Sequence, residues 1–483
     1  MNVSGVSNAL IHRKPAAPSP PWAAGRFELR REGSGARLGG GARDPSTDIP
    51  GPRPASRALP RPLDCGSVTI EVAEARSILR DPVFARLWFI QAANQVGGNM
   101  ALYALTVLVY SSTRSNSAVS ALLVSFVLPQ IALSPFAGVI VDRLDLRWAL
   151  IVPNLIRTGL TAGLALSGTN IAMVLALNLG VSLMSVALTP AEGSMIPRVV
   201  PKAQLETAMS VFNLTLQGSF AVGFAFLGPL MVSLAGPSFV LGVVTAFYVA
   251  ASIACFGLPS APPIERVAGE ERRSLMEPIR ELRDGLAVVR REPTISRPIV
   301  LLATATSVAS LLGVLGPSLA VTVGLEPQNL AVVVIPLGIG VVVGILGLRR
   351  FGERWPRRRV AEGGLLVLGV LTAALAGAGW LDGTMRSVGI PVGALPVVIV
   401  TAVIAGAAYA VTSVTAQTNL TESTPADVRG RVFGVLASIV SAASLIPSLT
   451  AGPVADRLST GAAMAIAGVI LLVVAFWSIR RRA

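Results

Sequence analysis

Beyond residue 80 the chain alternates between long apolar runs and short polar breaks. The runs fall at about 87–110, 117–141, 147–167, 170–190, 204–234, 237–258, 298–323, 328–350, 357–381, 390–420, 428–455 and 460–479. Each reaches the roughly 20 residues that a helix needs to cross about 30 Å of hydrocarbon. The pattern predicts an all-α membrane protein with about twelve transmembrane helices. Most breaks are so short that consecutive helices must lie side by side. The long exception, 259–297, divides the chain into six-helix halves at 80–258 and 298–483, leaving residues 1–79 as a tail.

Charge sets the orientation. The tail is rich in Pro, Gly and Arg, shows no helical or strand period, and is expected to be disordered. It contains no apolar stretch of the kind a signal peptide carries. Basic residues crowd into alternate breaks: the tail, 142–147, 196–203, 259–297, 349–359, 425–431 and the C-terminus. The other breaks hold isolated cations such as Arg114, Arg386 and Arg457. By the positive-inside rule both termini are expected in the cytoplasm, with the chain in a bacterial plasma membrane. Within 259–297, residues 274–285 are expected to form a helix lying against the membrane. The net charge of +14 therefore points to topology and anionic headgroups rather than to nucleic acid. Cys65 and Cys255 are too few for a disulfide framework or metal site, and His12, the lone histidine, lies in the tail, away from any proton relay in the membrane. No phosphate-binding loop, metal cluster or nucleophile with its base is evident, so neither an enzyme nor a cofactor is expected.

One break has distinctive chemistry. Gly138, Asp142, Arg143 and Arg147 form a charged turn between the second and third runs. A glycine permits close helix approach, an acid can face a helix N-terminus, and the arginines anchor the cytoplasmic side. Such a turn can serve as a conformational latch or simply as a topology anchor. Glu353 and Arg354 echo Asp142 and Arg143 in the second half, and Pro425 opens the eleventh run as Pro201 opens the fifth. The turn resembles the one that the major facilitator superfamily carries between its second and third helices, although that family often has a second glycine where Asp145 or Leu146 stands. Pro197, Arg198, Pro201, Gly228 and Pro229, the 281–285 segment, the 429–434 segment, and Gly452, Asp456 and Arg457 resemble the drug:proton antiporter branch, which includes macrolide-efflux and enterobactin-export proteins. The resemblance implies a monomer of two parallel-repeat halves rocking about a midplane site, with proton-driven export of an apolar or amphipathic small molecule. A dedicated metabolite, siderophore or lipid carrier is the alternative, and a non-transporting sensor a third reading.

Polar residues inside the spans mark where a cavity could lie, because lipid cannot satisfy them. Gln91, Gln95 and Asn99, followed by Tyr103, share a face of the first span. Asn178, Ser182, Ser185, Thr189 and Glu192 do so in the fourth, and Glu206, Ser210, Asn213 and Gln217 in the fifth. These stripes line a cavity or bond neighbouring helices together. Arg157, about 15 Å deep in the third span, shares its face with Asn154 and needs a carboxylate, a carbonyl or an anionic substrate group as partner. Related exporters often place an acid near Asn99. Its absence here shifts proton coupling to Asp142, Glu192 or Glu422.

Overall fold

The computed structural model describes residues 78–262, 291–351, 356–424 and 429–480, with Arg283, Leu286, Ala287 and Val289 between them. The tail up to residue 77, nearly all of the helix expected over 274–285, Glu353 and Arg354, and the 425–428 link lie outside these residues.

The regular structure among the described residues is helical. The helices are α1 (Pro82–Thr113), α2 (Asn116–Val141), α3 (Leu146–Leu166), α4 (Ile171–Val199), α5 (Leu205–Phe220), α6 (Gly228–Phe256), α7 (Pro293–Thr322), α8 (Ala331–Phe351), α9 (Arg357–Leu375), α10 (Ala378–Ser387), α11 (Leu395–Ser423), α12 (Arg429–Arg457) and α13 (Thr460–Arg480). A π-helical turn, Ala221–Leu227, joins α5 to α6. Side-chain caps set the starts of the first four helices. Asp81 accepts from the N–H groups of Val83 (2.8 Å) and Phe84 (2.9 Å), with Pro82 at the first helical position. Ser115, Asp145 and Asn170 cap α2, α3 and α4 in the same way.

Nine described stretches are long and apolar enough to cross a bilayer, and α9 with α10, bent by 51°, forms one more. The stretch Lys202–Phe256 runs for 55 residues, about 80 Å and far beyond one crossing. It breaks at Gly236, whose φ of 81° suits glycine alone, and Pro237 follows. α1 spans 32 residues but carries Gln91, Asn94, Gln95 and Asn99, which set it apart from the apolar nine. Among the described residues, twelve crossings result. α4 continues to Val199 through Pro190 and Pro197, well past the expected end near 190. Neighbouring helices can re-satisfy backbone groups freed by proline, so proline need not end a span. Packing also reaches back to Ile78, which is buried with Phe84 and Leu87.

The two groups of helices repeat one another. α2 packs on α4 as α8 packs on α11; α3 packs on α4 and α6 as α9 packs on α11 and α13. Between the groups, α2 meets α12 and the π turn meets α8. The α8–α11 crossing is the tightest: a side chain on Gly340 would strike the Val403 backbone, and one on Gly406 the carbonyl of Leu337.

The apolar core is unequal at its two ends. At the face holding the α1–α2 and α12–α13 turns, near Thr113 and Arg457, one cluster joins both halves, from Tyr103 and Leu122 to Leu315, Met464 and Ala455. Toward the face holding Pro82, the α2–α3 turn and Arg480, which we call the basic face, the core divides. One cluster (Phe84, Leu150, Met195, Phe212) belongs to the first half, and another (Ile299, Leu365, Leu420, Val435) to the second. The halves are thus sealed together at the opposite face and have separate cores at the basic face.

Candidate functional site

Between the halves lies a cavity of about 680 Å³. Thr106 and Leu330 close its inner end, and it runs toward the basic face as far as Gln417 and Phe433. Its walls are mostly apolar: Phe220 and Phe224 from the first half, Leu312, Val334, Leu337 and Leu436 from the second, with Thr306, Tyr409 and Ser413 as scattered polar points. Phe220 and Phe224 stack at 5.0 Å, and Tyr103 meets Phe224 edge-on at 5.6 Å. Pro229 explains this aromatic wall. It lacks an N–H and its ring crowds the Ala225 carbonyl one turn back, the backbone widens, and the Gly228 N–H bonds the Gly223 carbonyl. The wide turn carries Phe224 and Ala225 to the cavity.

A second, polar pocket of about 90 Å³ lies within the first half, large enough for water. Asn94, Gln95 and Asn99 border it from α1, Gln130 from α2, Arg157 from α3, and Ser185, Thr189 and Glu192 from α4. Asn94 is the bridge. It donates to Glu192 Oε1 (3.2 Å) and accepts from Arg157 Nη1 (3.3 Å). The Arg157 guanidinium also lies over the Tyr248 ring at 4.1 Å, and its Nε has no hydrogen-bond partner among the described residues. Arg157 and Glu192 are 4% and 3% exposed, and Asn94 links these two buried charges.

Gln95, Asn99, Arg157 and Glu192 are therefore brought together. Other residues singled out from the sequence sit elsewhere. Asn178 donates to Ser125 (2.9 Å), bonding α4 to α2. Asn154 donates to the Leu150 carbonyl (2.9 Å), and Ser182 is buried; neither borders a cavity described here. Asn213 is exposed, and the side chain of Gln217 lies outside the described residues. Glu422 forms an exposed ion pair with Arg357 at the ends of α11 and α9, a contact of about 0–1 kcal/mol. Asn94 was missed although it stands beside Gln95 on the polar face of α1. Glu362 was missed too. It is fully buried, takes bonds from Arg358 Nε and Ser478 Oγ (both 2.9 Å), and ties α9 to α13.

The charged turn is built differently from expectation. Gly138 has open space where a side chain would stand, so it makes no close helix contact here. The α2–α12 contact shown by Gly452 and Ser120 lies toward the other end of α2. Asp142 and Arg143 are exposed where α2 ends. Asp145, not Asp142, caps the following helix, accepting from the Arg147 N–H (2.8 Å). Asp145 also takes bonds from Ser260 Oγ and the Ala261 N–H, while Arg147 donates to the Phe256 carbonyl (2.6 Å) at the end of α6. Partial burial pushes the Asp145 carboxyl up, but the Ser260, Arg147 and Ala261 bonds and the Arg147 charge outweigh it and hold it below its ordinary value. Asp145→Ala is expected to lower stability by about 1–2 kcal/mol. A depressed carboxyl stabilises above its unfolded pKa of about 3.9, and that contribution vanishes as pH falls through the lower folded value. Thermal melts in detergent should therefore separate wild type from variant at neutral pH and converge in acid.

Two repeated helical halves, sealed at one face around a central cavity, are the architecture of a membrane transporter rather than of an enzyme. The chain belongs to the Major Facilitator Superfamily, whose family model matches residues 87–434. It is 24% identical over 380 residues to the uncharacterized MFS-type transporter YfiS of Bacillus subtilis (strain 168), covering 77% of this chain and 86% of that one. It is 25% identical over 373 residues to the multidrug efflux pump Tap of Mycolicibacterium fortuitum, covering 74% and 86%. Among solved structures, the nucleoside transporter NupG matches with a TM-score of 0.63 at 14% identity, over 82% of this chain and 98% of that one. A bacterial homologue of the human lysosomal transporter Spinster matches at 0.58 and 16%, over 82% and 96%. At these identities the structural likeness concerns the fold.

Proposed function

We propose that the protein exports apolar or amphipathic organic compounds by proton-coupled alternating access. The observation that carries this reading is the central cavity: about 680 Å³, walled by stacked phenylalanines and aliphatic side chains, with few polar groups to impose a hydrogen-bond pattern. Such a surface binds by area and shape, which suits varied lipophilic molecules better than a sugar or nucleotide. The basic face is assigned to the cytoplasm by the positive-inside rule, so this conformation receives substrate from within. The multidrug efflux relative favours the same direction. The proton acceptor is Glu192. Protonation would remove the counter-charge that Asn94 relays to Arg157, releasing α1, α3 and α4 to repack. The exposed Asp142 turn is the cytoplasmic latch of the cycle.

Efflux of lipophilic fluorescent dyes from cells expressing the protein tests the reading. Dye loss that a protonophore abolishes is the expected result. Retention of every dye, with protein shown in the membrane, would overturn it in favour of a dedicated metabolite carrier.

A further inference from the structure

The face opposite the basic one has a polar clasp of its own. Asp456, in the last turn of α12, stands over the first turn of α2 from the other half. Its Oδ2 accepts from Ser115 Oγ and the Ser117 N–H, each 2.8 Å. Its Oδ1 accepts from the Asn116 N–H and the Asn116 side-chain Nδ2, each 2.9 Å. The two backbone donors belong to the opening turn of a helix, where N–H groups have no partner within the helix and the dipole favours an anion. One turn deeper, the Gly452 N–H bonds Ser120 Oγ (3.1 Å), and a side chain on Gly452 would strike the Asn116 carbonyl. The carboxylate of one half thus completes a helix of the other, where the apolar core is continuous between them.

We propose that Asp456 is the positioning residue that holds the outer gate shut, acting through the N-terminus of α2. This rests on the alternating-access reading above. Opening toward the outside must part α2 from α12, and all four Asp456 bonds then break together. Residues 115–117 and 456 lie at the ends of their helices, so the clasp can open without disturbing either span. Ser115 would remain as the cap of α2 through its bond to the Ala118 N–H (3.3 Å), so α2 survives the opening. The clasp sets how much of the population faces inward and leaves the cavity and the Glu192 pocket untouched.

The test uses full-length protein with Cys65 and Cys255 replaced and spin labels at Ser112→Cys and Leu458→Cys, both exposed beside the clasp. Distances are measured by pulsed electron resonance in wild type, Asp456→Ala and Asp456→Asn. Asn fills the same space but turns an N–H₂ toward donors and carries no charge. In both variants the outward-open, longer-distance population should rise by about tenfold relative to the inward-open one, as expected for loss of charge-assisted bonds. In a parallel experiment, a cysteine at Thr106, on the closed floor of the cavity, should react faster with a membrane-impermeant maleimide applied outside. Distance distributions and labelling rates equal to wild type in inserted Asp456→Asn protein would overturn the proposal, whatever Asp456→Ala does. Because these readouts need no substrate, a shift without dye efflux would keep the gate and reject drug export.

Discussion

Glu192→Gln is expected to reach the membrane intact and to lose its response to a pH gradient. The glutamine oxygen can still accept from Asn94, and the volume is unchanged, so α1 and α4 stay joined. What disappears is the site where a proton is gained and lost. Gradient-driven dye efflux in vesicles should fall by about tenfold or more, in line with ordinary coupling free energies. Passive equilibration of the dye, measured without a gradient, should persist, because the apolar cavity is unaltered. Asn94→Ala should weaken coupling less, since it removes the bridge but neither charge. Unchanged gradient dependence in Glu192→Gln would take this residue out of the proton path. Arg157→Ala is a poorer probe, because it also removes the long side chain packed over Tyr248 and would confuse lost packing with uncoupling.

Gly406→Ala should be among the most damaging small substitutions in the second half. The added methyl meets the Leu337 carbonyl, a backbone atom that cannot rotate away. The helices must part, and Gly340 and Gly344 on α8 lose their fit against Val403 and Ala407. Overpacking of this kind costs about 1–3 kcal/mol. The effect reaches function because Gly406, Leu337 and Val341 all line the central cavity. Gly363→Ala is the control. It is an exposed helical glycine with open space around it, and the change should be neutral or favourable by up to about 1 kcal/mol. Melting temperatures of the two purified variants decide the point. Equal melting of Gly406→Ala and wild type would mean that the α8–α11 crossing yields more easily than its geometry implies.

The spans could be read from the sequence because hydrocarbon imposes one demand, a long apolar helix, on every crossing. The fourth run reads as 170–190, whereas α4 continues to Val199 through Pro190 and Pro197. The site was harder to read. Arg157 announced itself, since a lone cation at that depth needs a partner, and Glu192 stood on a polar stripe. Asn94, which joins them, did not, because its two partners lie 63 and 98 residues away and no local period encodes such a meeting. The same holds for Asp456. Its motif was visible, but its bonds to α2 cross 340 residues. Asn178 shows the converse, as a stripe residue whose partner was another helix. The turn at 142–147 was recognised as charged, yet which of its two acids caps α3 depended on the loop folding back through Ser260 and Ala261.

The bend between α9 and α10 bears on the lipid around the protein. α9 has 19 residues, and three arginines open it, so it extends only about 24 Å beyond them at 1.5 Å per residue. The chain then turns by 51° into α10, where Trp380 stands 76% exposed and Asp382 and Arg386 pair at 2.7 Å. That corner is shorter than an average hydrocarbon slab of about 30 Å. The resulting hydrophobic mismatch is expected to draw the leaflet on the side away from the basic face inward beside α10. Short-chain or unsaturated lipids are expected to be favoured there, which makes bilayer thickness a variable for this half of the protein.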